Sequence, residues 1–319
     1  MRECCYIGID TSNYTTSVAV ANACGEIVAN LKAPLPVKAG ERGLRQSDAV
    51  FAHTKNLPAL LDELRAVIGE YSPAAVCFSE RPRDAEGSYM PCFLSGAVAA
   101  HAIAAACEIP LFRCSHQSGH VMAALYSSGA LSALRGKEFG AFHVSGGTTE
   151  MLYVTPTETD FAVRQIGGSA DLHAGQAIDR IGVRMGLSFP CGPALEQLAL
   201  KNSKKVPKPR ISVKDGVCNL SGLENLSLKL FEAEQDAPLT AAFVLRFLCD
   251  TLLAMAKHLR ASNPTLPIVF AGGVMSNQII AAELKKALGE GVYFAAPAFS
   301  ADNAAGVALL GRAKLLGQL

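Results

Sequence analysis

Two apolar runs, Phe142-His143-Val144 and Met151-Leu152-Tyr153-Val154, flank the polar stretch Ser145-Gly146-Gly147-Thr148-Thr149-Glu150. This succession of apolar, polar and apolar blocks predicts a strand, a tight turn and a second strand. The adjacent glycines permit positive φ and close approach of backbone to a ligand. Ser145, Thr148 and Thr149 set hydroxyls beside several backbone N–H groups, which suits a phosphate or carboxylate. An ordinary hairpin turn gives the same local signature. What raises the functional reading is repetition: Tyr6-Ile7-Gly8-Ile9-Asp10 and Ser17-Val18-Ala19-Val20 flank another Ser/Thr-rich turn near the start of the chain. A third Gly-rich turn, Gly272-Gly273, follows the apolar run Ile268-Val269-Phe270-Ala271. Two such units about half a chain apart predict a duplicated two-lobe architecture with a ligand between the lobes.

The remaining pattern alternates strands and helices. Residues 6–32 predict two or three strands, and Val50, Phe51, Leu57, Leu60, Leu61, Leu64 and Ile68 follow helical spacing from Asp48 to Glu70. A short strand over 74–79, an Ala-rich helix over 93–107 and a helix over 119–134 complete the first half. Strands from about Gly140 to Ile166 open the second half, followed by helices over 173–185 and 239–259. A helix over 276–288, a strand over 292–295 and a last helix from about Asn303 end the chain. The expected fold class is α/β, with a first lobe over 1–138 and a second over 139–302. Helix 303–319 is expected to pack back on the first lobe.

Composition changes this picture little. A chain of 319 residues, half of them hydrophobic and 18% charged, has room for two cores and is not disordered. Its net charge of +1 supplies no global field for nucleic acid or membrane. The apolar stretch from Pro91 to Phe112 carries Ser95, His101 and Glu108, and reads as a buried helix rather than a membrane span. The N-terminus lacks a signal-peptide layout, and ten cysteines include no C-x-x-C pair. Reduced, buried thiols in a cytoplasmic protein are expected. One segment departs from neutrality: 201–215 holds Lys201, Lys204, Lys205, Lys208, Arg210 and Lys214 with two prolines. A solvated loop has this composition, and so does a contact for a polyanion.

Candidate chemistry is concentrated in few places. His116-Gln117-Ser118-Gly119-His120 sets two imidazoles four residues apart; if the segment is helical, both lie on one face and can share a metal ion. Gln117 takes the place of the glutamate base in the metalloprotease H-E-x-x-H pattern. The spacing alone also arises incidentally, and a metal would want further ligands. Asp302, just ahead of a helix, is a carboxylate candidate. His143 is another, although a strand histidine donating to a carbonyl explains it as well. Asp10, at a strand-to-turn junction, can hold a metal or water near phosphates, or simply cap its turn. Asn277 suits a helix cap or a hydrogen-bonding partner for a nucleoside. There is no G-x-x-x-x-G-K-[ST] motif and no nucleophile elbow, so P-loop and serine-hydrolase chemistry find no support.

The turn layout resembles the actin-like ATPase fold of the sugar kinase/Hsp70/actin superfamily. More specifically, the chain resembles the TsaD family of tRNA threonylcarbamoyltransferases, once described as glycoproteases, nearly end to end. The family's H-x-E-G-H-type pair is similar to His116–His120, and its V-S-G-G-[HN]-T turn to Val144-Ser145-Gly146-Gly147-Thr148-Thr149. Its G-E-A-F-D-K helix resembles Gly175-Gln176-Ala177-Ile178-Asp179-Arg180, and its Y-P-G-G-P-x-[IL]-E segment resembles Phe189 to Glu196. Its S-G-L-K, G-G-V-x-x-N and T-D-N elements resemble Ser221 to Glu224, Gly272 to Asn277 and Ala301 to Asn303.

The resemblance implies one divalent metal, iron or zinc, held by His116, His120 and Asp302. It implies an adenylate or ATP-type nucleotide contacted by Val144, Ser145, Gly146, Gly147, Thr148, Asp179, Gly192, Glu196 and Asn277. Asp179 and Glu196 are expected to accept hydrogen bonds from ribose hydroxyls, and Asp10 is carried as the catalytic carboxylate. The implied reaction passes a threonylcarbamoyl group from threonylcarbamoyl-adenylate to N6 of a tRNA adenosine, with TsaB-like and TsaE-like partner subunits and no membrane. Departures cluster on the acceptor side. The family's first turn reads E-T-S-C-D-E-T, and Asn13 and Tyr14 are taken to stand for its acidic pair. Its A-G-P-G-L segment is replaced by Ser79 to Asp84, its P-E-x-A-S-R-x-H element keeps only His53, and the lysine of S-G-L-K is Glu224. The alternative is a diverged paralogue that binds nucleotide but serves as a partner subunit or carbamoylates another acceptor.

Overall fold

The computed structural model describes residues 2–12, 14–36, 44–300 and 304–319. The chain opens with β1 (Glu3–Asp10), β2 (Thr15–Asn22), β3 (Ile27–Pro34), α1 (Gln46–Ile68), β4 (Tyr71–Arg81), α2 (Phe93–Cys107), β5 (Leu111–Ser115) and α3 (His116–Ser127). It continues with β6 (Phe139–Val144), β7 (Thr149–Pro156), β8 (Phe161–Ser169), α4 (Ala174–Arg184), α5 (Gly192–Leu200), β9 (Ser212–Lys214) and β10 (Val217–Asn219). Then come α6 (Ser221–Glu234), α7 (Ala237–Leu259), β11 (Ile268–Ala271), α8 (Gln278–Leu288), β12 (Val292–Phe294) and α9 (Ala305–Leu316). Two compact units result. The first takes Met1–Lys137, Thr155–Val163 and Ala301–Leu319; the second takes Glu138–Val154 and Arg164–Ser300.

In the first unit a five-stranded sheet has the order β3-β2-β1-β4-β5. β1 lies antiparallel to β2 and parallel to β4, so it is central and buried on both faces, which its continuous apolar run requires. One face is covered by α1, which buries Ala49, His53, Leu57, Leu60 and Leu64 at helical spacing against Ile7, Ile9, Val18, Val20, Val76 and Phe78. Each fully buried Leu of that stripe contributes about 1.5–3 kcal/mol. α9 packs on β1 and β4 and against α3. Its approach to α3 is close: a Cβ at Gly306 would meet the backbone at Gly119 and Ala123, so only glycine fits there.

In the second unit the sheet order is β12-β11-β6-β7-β8-β10-β9. β6 and β7 pair antiparallel from Phe139↔Val154 to Val144↔Thr149, which leaves residues 145–148 as the predicted turn. Phe142, Phe270 and Phe294 stack across the neighbouring strands β6, β11 and β12, with ring centroids 4.8 and 5.2 Å apart. α7 is the core helix. Asp236 caps its first turn by accepting the Leu239 N–H at 2.9 Å, and most of its length is buried. Among the described residues it is the one helix long and apolar enough to cross a membrane.

Three expectations are corrected. The helix expected over 119–134 is α3, which starts at His116 and stops at Ser127. Ser115 caps it by accepting the Ser118 N–H at 3.0 Å, and Gly129 turns the chain at φ +71°. α2 is not a buried helix, because Leu94 and Val98 are 50% and 71% exposed. Its Ala-rich sequence buries only the face carrying Phe93, Ser95, Gly96 and Ala100. All ten cysteines are free thiols, yet Cys4, Cys24 and Cys107 are exposed rather than buried.

Candidate functional site

β1 ends at Asp10, and its carboxylate is fully buried. Three side chains converge on it. The Ser79 hydroxyl, from β4, donates to Oδ1; Ser12 donates to Oδ2 at 2.6 Å; His116 Nδ1 lies 3.1 Å from Oδ1. Burial alone would raise the Asp10 pKa, but the His116 ring and the two hydroxyls outweigh it and hold it below the usual carboxylate range. Asp10 is therefore aimed inward, behind His116, where it fixes the ring.

One helical turn later His120 presents Nε2 at 2.9 Å from Nε2 of His116, the rings edge to face with centroids 4.3 Å apart. Two nitrogens each about 2.0–2.1 Å from one ion lie roughly 3 Å apart, so this spacing fits a shared metal. The carboxylate on the far nitrogen of His116 is the support that metal-bound imidazoles commonly have. Asp302 lies outside the described residues, and among those described no group of three ligating side chains forms. His143 is on β6 in the second unit, opposite Glu150 on β7.

The start of α3 is also held by the segment that departs from the family pattern. Gln117 donates its N–H to Pro82 O at 3.0 Å, and Ser118 Oγ lies 3.3 Å from Asp84 Oδ2. Arg81 pairs with Asp84 at 2.8 Å. Ser79 and Asp84 were missed by sequence reading because their role depends on which strands and helices meet. His53 is another. It is fully buried on α1, its Nδ1 is 2.9 Å from Thr16 Oγ1, and its Nε2 has no hydrogen-bond partner among the described residues. Burial depresses its pKa against the opposing pull of Asp10. Counted from Asp10, the family's acidic pair falls on Tyr14 and Thr15 rather than on Asn13 and Tyr14. Tyr14 is 44% exposed, and Asn13 lies outside the described residues.

The second unit gathers the nucleotide candidates around the β6–β7 turn. Val144 is buried, whereas Gly146 and Gly147 are exposed and face open space. The turn closes through Ser145 N–H to Thr148 O at 2.7 Å. α4 begins directly on it: Ala174 N–H donates to Thr149 Oγ1 at 2.9 Å and Gly175 N–H to Ser145 O at 3.1 Å. A Cβ at Gly175 would lie 2.7 Å from Gly146. One helical turn on, Asp179 Oδ1 accepts the Cys191 N–H at 2.8 Å, beside Gly192 at the start of α5. Glu196 on α5 accepts the Gln278 N–H at 2.7 Å, and Asn277 caps α8 by accepting the Ile280 N–H at 3.0 Å. Gly272 packs its backbone on Val144 with φ +101°, which ties the third Gly-rich turn to the second. One oxygen of Asp179 and one of Glu196 are thus engaged with backbone N–H groups. Arg180 pairs with Glu224 at 2.9 Å, an ion pair where the family patterns carry two lysines.

The activator of the 2-hydroxyisocaproyl-CoA dehydratase from Clostridium difficile with bound ADPNP superposes with a TM-score of 0.54 at 12% identity, over 98% of this chain and 96% of that one. Full-length HypF in the phosphate- and nucleotide-bound form superposes at 0.61 and 11% identity, over 99% of this chain and 46% of that one. At such identities the likeness establishes the actin-like ATPase fold and nothing finer. In sequence, the tRNA N6-adenosine threonylcarbamoyltransferase of Bacillus subtilis (strain 168) is 30% identical over 323 residues, spanning 96% of this chain and 89% of that protein. The enzyme of the same description from Streptococcus suis (strain 05ZYH33) is 30% identical over 87% of this chain and 82% of its own. The family model described as TsaD: tRNA N6-adenosine threonylcarbamoyltransferase matches residues 28–309, and the chain belongs to the TsaD family.

Proposed function

We propose that this chain transfers the threonylcarbamoyl group of threonylcarbamoyl-adenylate to N6 of an adenosine in tRNA. In that reaction the N6 amine attacks the carbamoyl carbon, the bond from that carbon to the adenylate phosphate oxygen breaks, AMP leaves and the amine gives up a proton. The observation that carries the reading is the His116–His120 pair, with Asp10 behind it, in a chain of this family. His116 and His120 would hold one iron or zinc ion with Asp302, and such an ion supplies Lewis-acid polarisation. In the second unit the open Gly146-Gly147 turn offers backbone to phosphate, while Asp179 and Glu196 offer carboxylate oxygens to ribose. Val144, Ser145, Thr148, Gly192 and Asn277 complete that surface.

A second reading is favoured by two observations. The acidic pair of the first turn is replaced by Tyr14 and Thr15, and Glu224 neutralises Arg180. It is a diverged paralogue that binds nucleotide but acts as a partner subunit or carbamoylates another acceptor. A transfer assay separates the two: purified protein, threonylcarbamoyl-adenylate and unmodified tRNA, with and without TsaB-like and TsaE-like subunits, read by mass spectrometry of nucleosides. Formation of threonylcarbamoyl-adenosine supports transfer to tRNA. Adenylate that is bound or hydrolysed while tRNA stays unmodified supports the paralogue.

A further inference from the structure

We infer that residues 201–214 of the second unit form a preformed cationic strip that docks the phosphate backbone of the acceptor RNA. The inference rests on the proposed reading of the chain as a tRNA-modifying enzyme. Six of the chain's 29 lysines and arginines and no acid fall in these fourteen positions, in a chain whose net charge is +1. Lys204 pairs with Asp236 at 2.8 Å. The side chains of Lys201, Lys205, Lys208, Arg210 and Lys214 are exposed and make no ion pair among the described residues.

The strip has a fixed shape although most of it is neither helix nor strand. Asn202 bonds Lys204 at both ends of its amide, 2.8 and 3.2 Å, and Arg246 on α7 donates to Val206 O at 3.0 Å. Pro209 is buried, and Val206, Ile211 and Val213 pack on the core of the second unit. The apolar side chains thus point inward and the cations outward. An amphipathic segment that inserts into a membrane would present the reverse, with apolar groups free to enter it. An ordered row of cations with no apolar anchor matches a repeating anion, and Arg210 adds forked donors that suit phosphate.

The strip is linked along the chain to the segment ahead of α4. It continues through β9 and β10 into Leu220 and Ser221, whose N–H groups donate to Asp171 at 2.7 and 3.0 Å. Asp171 lies three residues ahead of α4, the helix that starts on the 145–148 turn.

The test compares two triple variants of equal charge. Lys205→Gln/Lys208→Gln/Arg210→Gln removes three of the strip's six cations; Lys257→Gln/Lys285→Gln/Lys286→Gln removes three exposed cations elsewhere on the same unit. Binding of a tRNA transcript is followed by fluorescence anisotropy from 50 to 200 mM salt, and transfer kinetics are measured alongside. The strip variant is expected to bind at least tenfold more weakly at 0.1 M salt, with a log K against log salt slope shallower by about two, since each lost phosphate contact removes roughly 0.7–0.9. Its KM for tRNA should rise while kcat and adenylate affinity stay unchanged, and the control variant should match the wild type. If the wild type modifies tRNA but the strip variant behaves like the control, the strip is wrong and the function stands. If the wild type binds adenylate but no tRNA, both fall.

Discussion

The two strand–turn–strand units share a pattern in sequence and differ in how they use it. The first turn begins inward, on the side chains of Thr11 and Ser12. Thr11 and Ser12 are fully buried, with Thr11 accepting the Gly96 N–H at 3.1 Å and donating to Cys92 O at 3.0 Å, and Ser12 donating to Asp10. The second turn is outward and made of backbone, with Gly146 and Gly147 exposed and the first N–H groups of α4 spent on it. A buried turn of side chains can build a rigid ligand set behind which a carboxylate orients histidines. An open turn of glycines can approach a phosphate. Under the proposed function, the same block pattern would serve a metal-holding device in one unit and an anion-holding device in the other.

That contrast predicts different weak points. The largest effect is expected for Asp10→Asn, which keeps the shape but removes the charge behind His116; metal affinity, read by competition with a chelating dye, should fall 10–100-fold. Gly175→Val pushes a side chain into Gly146 and should cost about 1–3 kcal/mol, much of it at the turn, so adenylate affinity by calorimetry should drop roughly tenfold with metal affinity unchanged. Equal losses of metal and nucleotide in both variants would erase the contrast. Asn277→Ala removes the α8 cap and should lower stability by about 0.5–2 kcal/mol in chemical denaturation, with a smaller loss of adenylate affinity.

The smallest effect is one of pH. Folding lowers the His53 pKa, so the unfolded chain takes up a proton near 6.5 that the folded chain refuses. The stability His53 allows is complete above that pH and declines as pH falls from 7 to 5. In His53→Gln the melting temperature should decline less over that window; an unchanged slope would show that His53 does not titrate against folding.

Much of this was legible in the sequence. The paired strands, the Gly-rich turns and helices α1, α2, α4 and α7 follow from blocks and spacing, because each buries a periodic face. The His116–His120 pair was legible as an i, i+4 pair, and Asn277 as a cap. The Asp10 network was not, since Ser79 and His116 reach it from other strands and helices, 69 and 106 residues away. Nor could spacing show that α2 leaves Leu94 and Val98 exposed, because an alanine-rich helix has no clear polar face to mark its outside.

The most direct measurement of the metal-holding claim is elemental analysis with X-ray absorption at the metal edge, on wild type and on His116→Ala/His120→Ala. The account predicts about one iron or zinc per wild-type chain, with imidazole nitrogens at roughly 2.0–2.1 Å, and metal near background in the double variant while its second unit stays folded. Full metal occupancy in the double variant, or a wild-type spectrum without imidazole ligands, would contradict it.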